Sequence, residues 1–263
     1  MHKIKVHCEW DLDVDFFHEK QIELFVDTFV GFNQYSDTIK ILYLCEPDAI
    51  SHLAHSTVKN KFLFDYILTF DENVLNNCEN AHLFEFGTSW IKDYEFKEKK
   101  YGVSTIVGFK KITKGHLLRQ KVYYKQDKIN IPKQIFLSKH HQGMEIFKNN
   151  SILGESKNPL FDYQFHIVIE NVSQNYYFSE KLLDCFRTKT IPIYWGCKNI
   201  NKYFDVNGII LFEDFKDLIN KVNSIKEDNY NRMKDSVEKN YVLSEKFLNL
   251  GERMKNMLEQ III

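Results

Sequence analysis

Short apolar runs alternating with helical segments predict an α/β protein built on mostly parallel sheets. Three observations carry this reading. Runs such as Ile39-Lys40-Ile41-Leu42-Tyr43-Leu44 and Phe165-His166-Ile167-Val168-Ile169 have the length and β-branched content of buried strands. Helical spacing or capping signals follow several of them. The strand–helix rhythm pauses over an irregular stretch at 125–159 and then restarts, which predicts two α/β domains facing one another.

In chain order, 3–8 reads as an opening strand. Residues 16–32 carry apolar side chains at helical spacing, with Phe17, Leu24 and Phe25 among them, and predict a helix. A strand at 39–45 ends at Glu46-Pro47, and 60–66 is helical or irregular. The strand at 66–70 leads into Asp71-Glu72-Asn73, a turn or helix start. Strands follow at 83–86 and 103–109. The irregular stretch, with Pro132, His140, His141, Gly143, Gly154 and Pro159, is expected to hold a linker and some helix at 143–147. Beyond it come a strand at 165–170, a helix at 179–187, a strand at 191–195, a turn at Gly196, a strand at 209–212 and helices from 215 onward. The boundaries expected are an N-terminal domain at 1–135, a linker at 136–159, a C-terminal domain at 160–245 and a terminal helix or tail at 246–263. The closing Ile261-Ile262-Ile263 either packs on a neighbouring element or frays.

Composition narrows the function classes. The 263 residues are 44% hydrophobic and 27% charged, the balance of a folded chain. Lys plus Arg is 35 and Asp plus Glu is 36, a net charge of −1, which argues against general nucleic-acid binding and leaves room for a local phosphate site. Aromatic residues make up 15%, and ring burial in strands is their ordinary explanation. The 5 cysteines are scattered without a C-x-x-C pair, as in a reduced, cytoplasmic-type chain. The opening residues lack the pattern of a signal peptide, and no apolar stretch is long enough to span a bilayer; peripheral membrane contact stays open.

The informative block runs from Phe165 to Gly196. A buried strand ends in Glu170-Asn171, and ligands of open α/β sheets gather at such strand ends. Ser179 can cap the next helix, placing Glu180 and Lys181 in its first turn. A lysine there opposes the helix dipole unless an anion is bound, and a diphosphate held by Lys181 and the free N–H groups would supply one. Glu180 could accept hydrogen bonds from sugar hydroxyls. The plainer alternative is a surface Glu-Lys pair above the apolar Leu182, Leu183 and Phe186.

Glu170-Asn171, then Tyr177-Phe178-Ser179-Glu180-Lys181, then Ile191-Pro192-Ile193-Tyr194-Trp195-Gly196 closely resemble the donor-binding signature of the α1,3/α1,4-fucosyltransferases, glycosyltransferase family 10. The resemblance implies a GT-B fold, two facing Rossmann-like domains with the active site in the interdomain cleft. It implies inverting transfer of L-fucose from GDP-β-L-fucose to a glycan hydroxyl, with an α1,3-type linkage. Asn171, Tyr177, Glu180 and Lys181 then correspond to donor contacts, Lys181 to diphosphate and Glu180 to ribose or fucose hydroxyls. A fainter match at Leu42–Pro47 and Leu63–Asp71 puts Glu46 at the position of the catalytic base, with Glu9 and Glu72 as competitors. Partial burial would raise the Glu46 pKa toward a useful value. In the basic segment 108–119, Arg119 matches a pyrophosphate-binding arginine. Lys114, His116, Glu170 and Ser179 are supporting candidates, with His116 read first as a contact or helix cap. The chain is short for the family, and another nucleotide sugar, or a non-catalytic sugar-nucleotide-binding or scaffold protein, remains an alternative.

No cofactor is expected beyond the donor substrate, and no essential divalent metal. A metal-dependent alternative would use Asp11-x-Asp13 or Asp13-x-Asp15, a spacing common by chance. His7-Cys8 and His140-His141 lack a second ligand pair at zinc spacing. No Gly-x-Gly-x-x-Gly or phosphate-loop motif is present, which weakens dehydrogenase and nucleotidase readings.

Overall fold

The computed structural model describes residues 1–91 and 93–262. They divide into two compact units, one of residues 1–88, 175–177 and 247–263, the other of residues 89–174 and 178–246. The unit boundaries therefore differ from those expected. Strands near 100 and 135 belong to the second unit, while the end of the chain returns to the first. Ile263 lies outside the described residues.

In the first unit β1 (His2–Lys3) pairs antiparallel with β3 (Phe17–His18). The main sheet has the order β2 (Lys5–His7), β4 (Ile22–Val26), β5 (Ile39–Leu44), β6 (Tyr66–Thr69) and β7 (Ala81–Leu83), all parallel. The helix expected over 16–32 is not formed, and its centre is β4. All five residues of β4 are buried, so its apolar run faces core on both sides of the sheet. Such a run has no alternation, and helical spacing within it is coincidental. Its one charged member, Glu23, accepts from Lys5, His7 and Thr38. Helices α1 (Asp48–Ser51), α2 (Ala54–Lys59) and α3 (Glu72–Asn77) lie between strands; Asp71 caps α3 by accepting from the N–H groups of Asn73 and Val74. The last helix, α9 (Leu250–Ile261), buries Leu250, Met254 and Leu258 in the same core as Ile22, Leu24 and Tyr43.

The second unit holds six parallel strands: β8 (Lys100–Val107), β9 (Lys133–Leu137), β10 (Ser151–Ile152), β11 (Tyr163–Ile169), β12 (Ile191–Trp195) and β13 (Ile210–Leu211). Their spatial order is β10-β9-β8-β11-β12-β13. Numbered from β8, this is 3-2-1-4-5-6, the doubly wound order of a Rossmann sheet. Helix α4 (Lys114–Tyr124) follows β8 and α5 (Glu180–Arg187) follows β11. Helices α6 (Phe215–Ser224), α7 (Asp228–Arg232) and α8 (Lys234–Ser244) complete the unit. The stretch expected to be irregular, 125–159, supplies β9 and β10, while 143–147 carries no helix, with Gly143 at φ +75°. The return from β10 to β11 contains only the 3-10 turn Asn158–Phe161 where a longer helix is usual.

The strand order reverses between β8 and β11, so their carboxyl ends diverge into helices on opposite sides and leave a crevice. Gly115, second residue of α4, donates its N–H to the Asn171 carbonyl at 3.1 Å. A Cβ on it would stand 1.8 Å from the Glu170 carbonyl oxygen. Gly115→Ala is expected to cost about 1–3 kcal/mol, read as a lower urea midpoint; an unchanged midpoint would contradict this close packing.

Candidate functional site

A cavity of about 760 Å³ opens at this switch point within the second unit; Phe109, His116, Arg119, Lys157, Glu180 and Lys181 are among its lining. Helix α4 enters it through a capping box. Thr113 Oγ1 accepts from the His116 N–H at 3.3 Å, and His116 Nδ1 accepts from the Thr113 N–H at 3.2 Å. His116 is thus the helix-cap residue that its position suggested. Burial first, then Arg119, Lys110 and Lys181, pull its pKa down to about 4, so the ring is neutral. One turn on, the Arg119 guanidinium donates to the Ile169 carbonyl and, at 2.9 Å, to Asn171 Oδ1. The fold therefore brings Arg119 and Asn171 together across β11.

The other wall starts from Glu170, fully buried at the end of β11. Its carboxylate accepts the Ser179 N–H at 2.9 Å and the Ser179 hydroxyl at 2.7 Å. Ser179 Oγ in turn accepts from the Lys181 N–H at 3.4 Å, capping α5. The Lys181 ammonium lies 3.1 Å from Ser179 Oγ, 3.2 Å from Glu180 Oε1 and 3.8 Å from Glu170 Oε2. Burial pushes the Glu170 pKa up. For Glu180 burial acts upward too, but Lys181 and Lys157 outweigh it and hold the carboxyl below its usual value. Burial pulls Lys181 down, while Glu180 and Glu170 together raise it. The pair is ionised at neutral pH.

Two participants escaped the sequence reading. Lys157, in the return segment, places its ammonium 3.2 Å from Asp184 Oδ2, 3.9 Å from Glu180 Oε1 and 3.9 Å from the Trp90 ring centre. Asp184 is buried and also accepts from the Ser89 hydroxyl and the Trp90 N–H. Its spacing of four from Glu180 puts both carboxylates on one face of α5, a signal the sequence did carry. Nothing local marks Lys157, because its partners come from a distant helix.

The remaining candidates lie elsewhere. Lys114 is exposed, its ammonium 5.7 Å from the Trp195 ring centre. Tyr177 is buried in the first unit with its ring 5.0 Å from that of Phe70. Glu46 lies two residues past the end of β5 and is exposed, so the partial burial that would raise its pKa is absent. Its N–H donates to Asp27 Oδ2 at 2.9 Å, and Asp27 also holds the Cys45 N–H and thiol. Glu9 is exposed in a bend, and Glu72 is exposed and accepts from Asn175 Nδ2 at 3.0 Å. Asp13 pairs with Lys3 at 3.0 Å. Among the described residues no group of three or more His, Cys, Asp or Glu is gathered as a metal site.

Two outcomes follow from this geometry. Ser179→Ala removes the α5 cap and one of the bonds to Glu170, and is expected to cost about 1–2 kcal/mol in chemical denaturation. His116, and His166 whose pKa burial pulls down to about 3, both stay neutral where a free imidazole at 6.5 would take a proton. Their contribution to stability is complete above the unfolded value of 6.5 and is lost as pH falls toward 4 and then 3. Both rings should therefore be silent in NMR titration between about pH 5 and 8; a midpoint near the free value for either would contradict the assignment.

Residues 115–245 match the family described as glycosyltransferase family 10 (fucosyltransferase) C-term. Alpha-(1,3)-fucosyltransferase FucT of Helicobacter pylori is 34% identical over 67 residues, which is 26% of this chain and 14% of the relative, so the aligned stretch spans a small part of that protein. A crystal structure of α1,3-fucosyltransferase with GDP-fucose superposes with a TM-score of 0.58 at 16% identity, covering 91% of this chain and 77% of the other. TarM, at 13% identity, and OtsA, at 8%, both reach 0.61, covering 92% and 94% of this chain and 55% and 74% of theirs. These likenesses establish the fold, two Rossmann-like α/β units of GT-B type. The segment that matches glycosyltransferase family 10 runs from α4 through α8 and supplies Arg119, Glu180 and Lys181 to the cavity.

Proposed function

We propose that the chain is an inverting fucosyltransferase, moving L-fucose from GDP-β-L-fucose to a hydroxyl of an acceptor glycan in an α1,3-type linkage. The observation that carries the reading is the convergence of Arg119, Glu180 and Lys181 on one cavity at the switch point of a Rossmann sheet, with Asn171 hydrogen-bonded to Arg119 beside it. Such a crevice is where this sheet type takes nucleotides. Arg119 and Lys181 supply fixed positive charge for a diphosphate, and the capped N-terminus of α5 adds its partial charge. A leaving nucleotide diphosphate gains negative charge in the transition state, so these groups would stabilise departure. Glu180, ionised and beside Lys181, accepts ribose or fucose hydroxyls. Glu46 takes the proton of the attacking hydroxyl, and its backbone is fixed by Asp27 for that role. Inversion in one displacement needs no protein nucleophile. The donor has no divalent-metal requirement in this scheme. Five free cysteines support a reducing, cytoplasmic setting. Among the described residues no helix is long and apolar enough to cross a membrane.

TarM and OtsA are as near in fold as the fucosyltransferases, so the fold does not select the donor. Calorimetry with GDP, GDP-fucose, GDP-mannose and UDP-sugars, with and without EDTA, separates the readings. Binding of GDP and GDP-fucose that survives EDTA is expected; preference for a UDP-sugar keeps the fold and overturns the donor. Lys181→Met should weaken GDP by about tenfold or more with folding retained. Glu46→Gln should abolish transfer and leave GDP affinity unchanged; retained transfer would remove Glu46 as the base.

A further inference from the structure

The segment that closes β8 and opens α4 supplies Arg119 to the cavity and also carries side chains, Lys111, Ile112, Lys114 and Leu117, that the cavity does not use. From Lys99 to Gln126 the sequence contains eight Lys or Arg and no Asp or Glu. At the tip of this segment three apolar side chains face solvent: Phe109 is 43% exposed, Ile112 64% and Leu117 54%. Lys110, Lys111 and Lys114 alternate with them and are exposed too. Ile112 and Leu117 flank the Thr113 cap at the two positions that a hydrophobic staple brings side by side, which sets both at the exposed start of α4. A staple that served only the helix would bury its apolar pair, and this one leaves more than half of each in water. The neighbouring loop is tied to the tip by the Phe109 N–H, which donates to the His140 carbonyl at 3.0 Å. It adds His140, His141 and Lys139, the last paired with Glu155 at 2.6 Å.

We propose that this tip docks the protein on an anionic lipid surface, with Ile112 and Leu117 entering the headgroup layer and Lys110, Lys111 and Lys114 pairing with lipid phosphates. Apolar side chains set among lysines suit an interface that is charged outside and oily within. A nucleic acid would match the charge and leave the apolar patch wet. The net charge of −1 gives no general attraction to anions, so attachment is local and oriented. Phe109, Lys110 and His140 also line the cavity, so docking at this tip sets the cavity mouth against the headgroups. The inference stands on the tip alone and does not depend on which nucleotide the cavity takes.

The test is co-sedimentation of the full chain with vesicles of phosphatidylcholine, with and without phosphatidylglycerol. Binding is expected only with phosphatidylglycerol, falling steeply with added salt. Lys111→Glu should weaken it about tenfold or more. Ile112→Ser should weaken it several-fold and make the remainder more salt-sensitive, since apolar insertion is the part that salt does not screen. Thermal unfolding of both variants checks that the fold is intact, and Leu117→Ser replaces Ile112→Ser if that variant is unstable. No binding, equal binding to neutral vesicles, or binding unchanged in Lys111→Glu would overturn the proposal. Charge dependence with no effect of either apolar variant, or capture by an oligonucleotide in place of vesicles, would overturn it as well.

Discussion

The candidate site depends on one buried carboxylate. Glu170 ends the central strand β11 where water cannot reach it, and a charge there is unfavourable unless it is fully engaged. Ser179 meets it with two hydrogen bonds and Lys181 with an ammonium at 3.8 Å. Those contacts set the direction in which α5 leaves the sheet, and with it the places of Glu180 and Lys181. Glycines surround the same carboxyl terminus of β11. Gly115 lets α4 touch the strand's backbone, and a Cβ on Gly196 would stand 2.4 Å from Glu170 Cγ. Larger residues at either position would push the two cavity walls apart.

The charge balance of the cavity follows from this arrangement. Glu180 and Asp184 are carboxylates on one helix face, a repulsive pairing that Lys157 bridges from the return segment between β10 and β11. Arg119, on the opposite wall, spends its hydrogen bonds on Ile169 and Asn171 and keeps its charge within the cavity lining. The site thus holds its cations by pairing them with the fold's own acceptors, which places them before any ligand arrives.

Legibility in the sequence divided along physical lines. The stretch around Ser179-Glu180-Lys181 was readable because capping and dipole preferences act within one turn of helix. Strands β5, β6, β11 and β12 were readable because each is a compact apolar run between turn signals. β4 is illegible because a strand buried on both faces has no period to distinguish it from a helix. β10 has two residues and β9 begins with polar Lys133 and Gln134, so neither stands out from irregular chain and the sequence does not mark the start of the second sheet. Lys157 and the packing of Tyr177 on Phe70 depend on contacts between distant segments. Glu46 shows the same limit: its place after β5 was legible, its exposure was not.

Helix α9 carries a consequence for how the chain comes to be folded. It supplies Met254 and Leu258, both wholly enclosed, to a core otherwise made from the first 88 residues. That core has an open flank until α9 has left the ribosome. The second unit draws on nothing beyond residue 246, so it can be finished while the first still waits. Synthesis from the amino end ordinarily lets early segments consolidate first. Here the order is inverted: the part made first is the part completed last, and its unclosed apolar flank is what a nascent chain would have to shield.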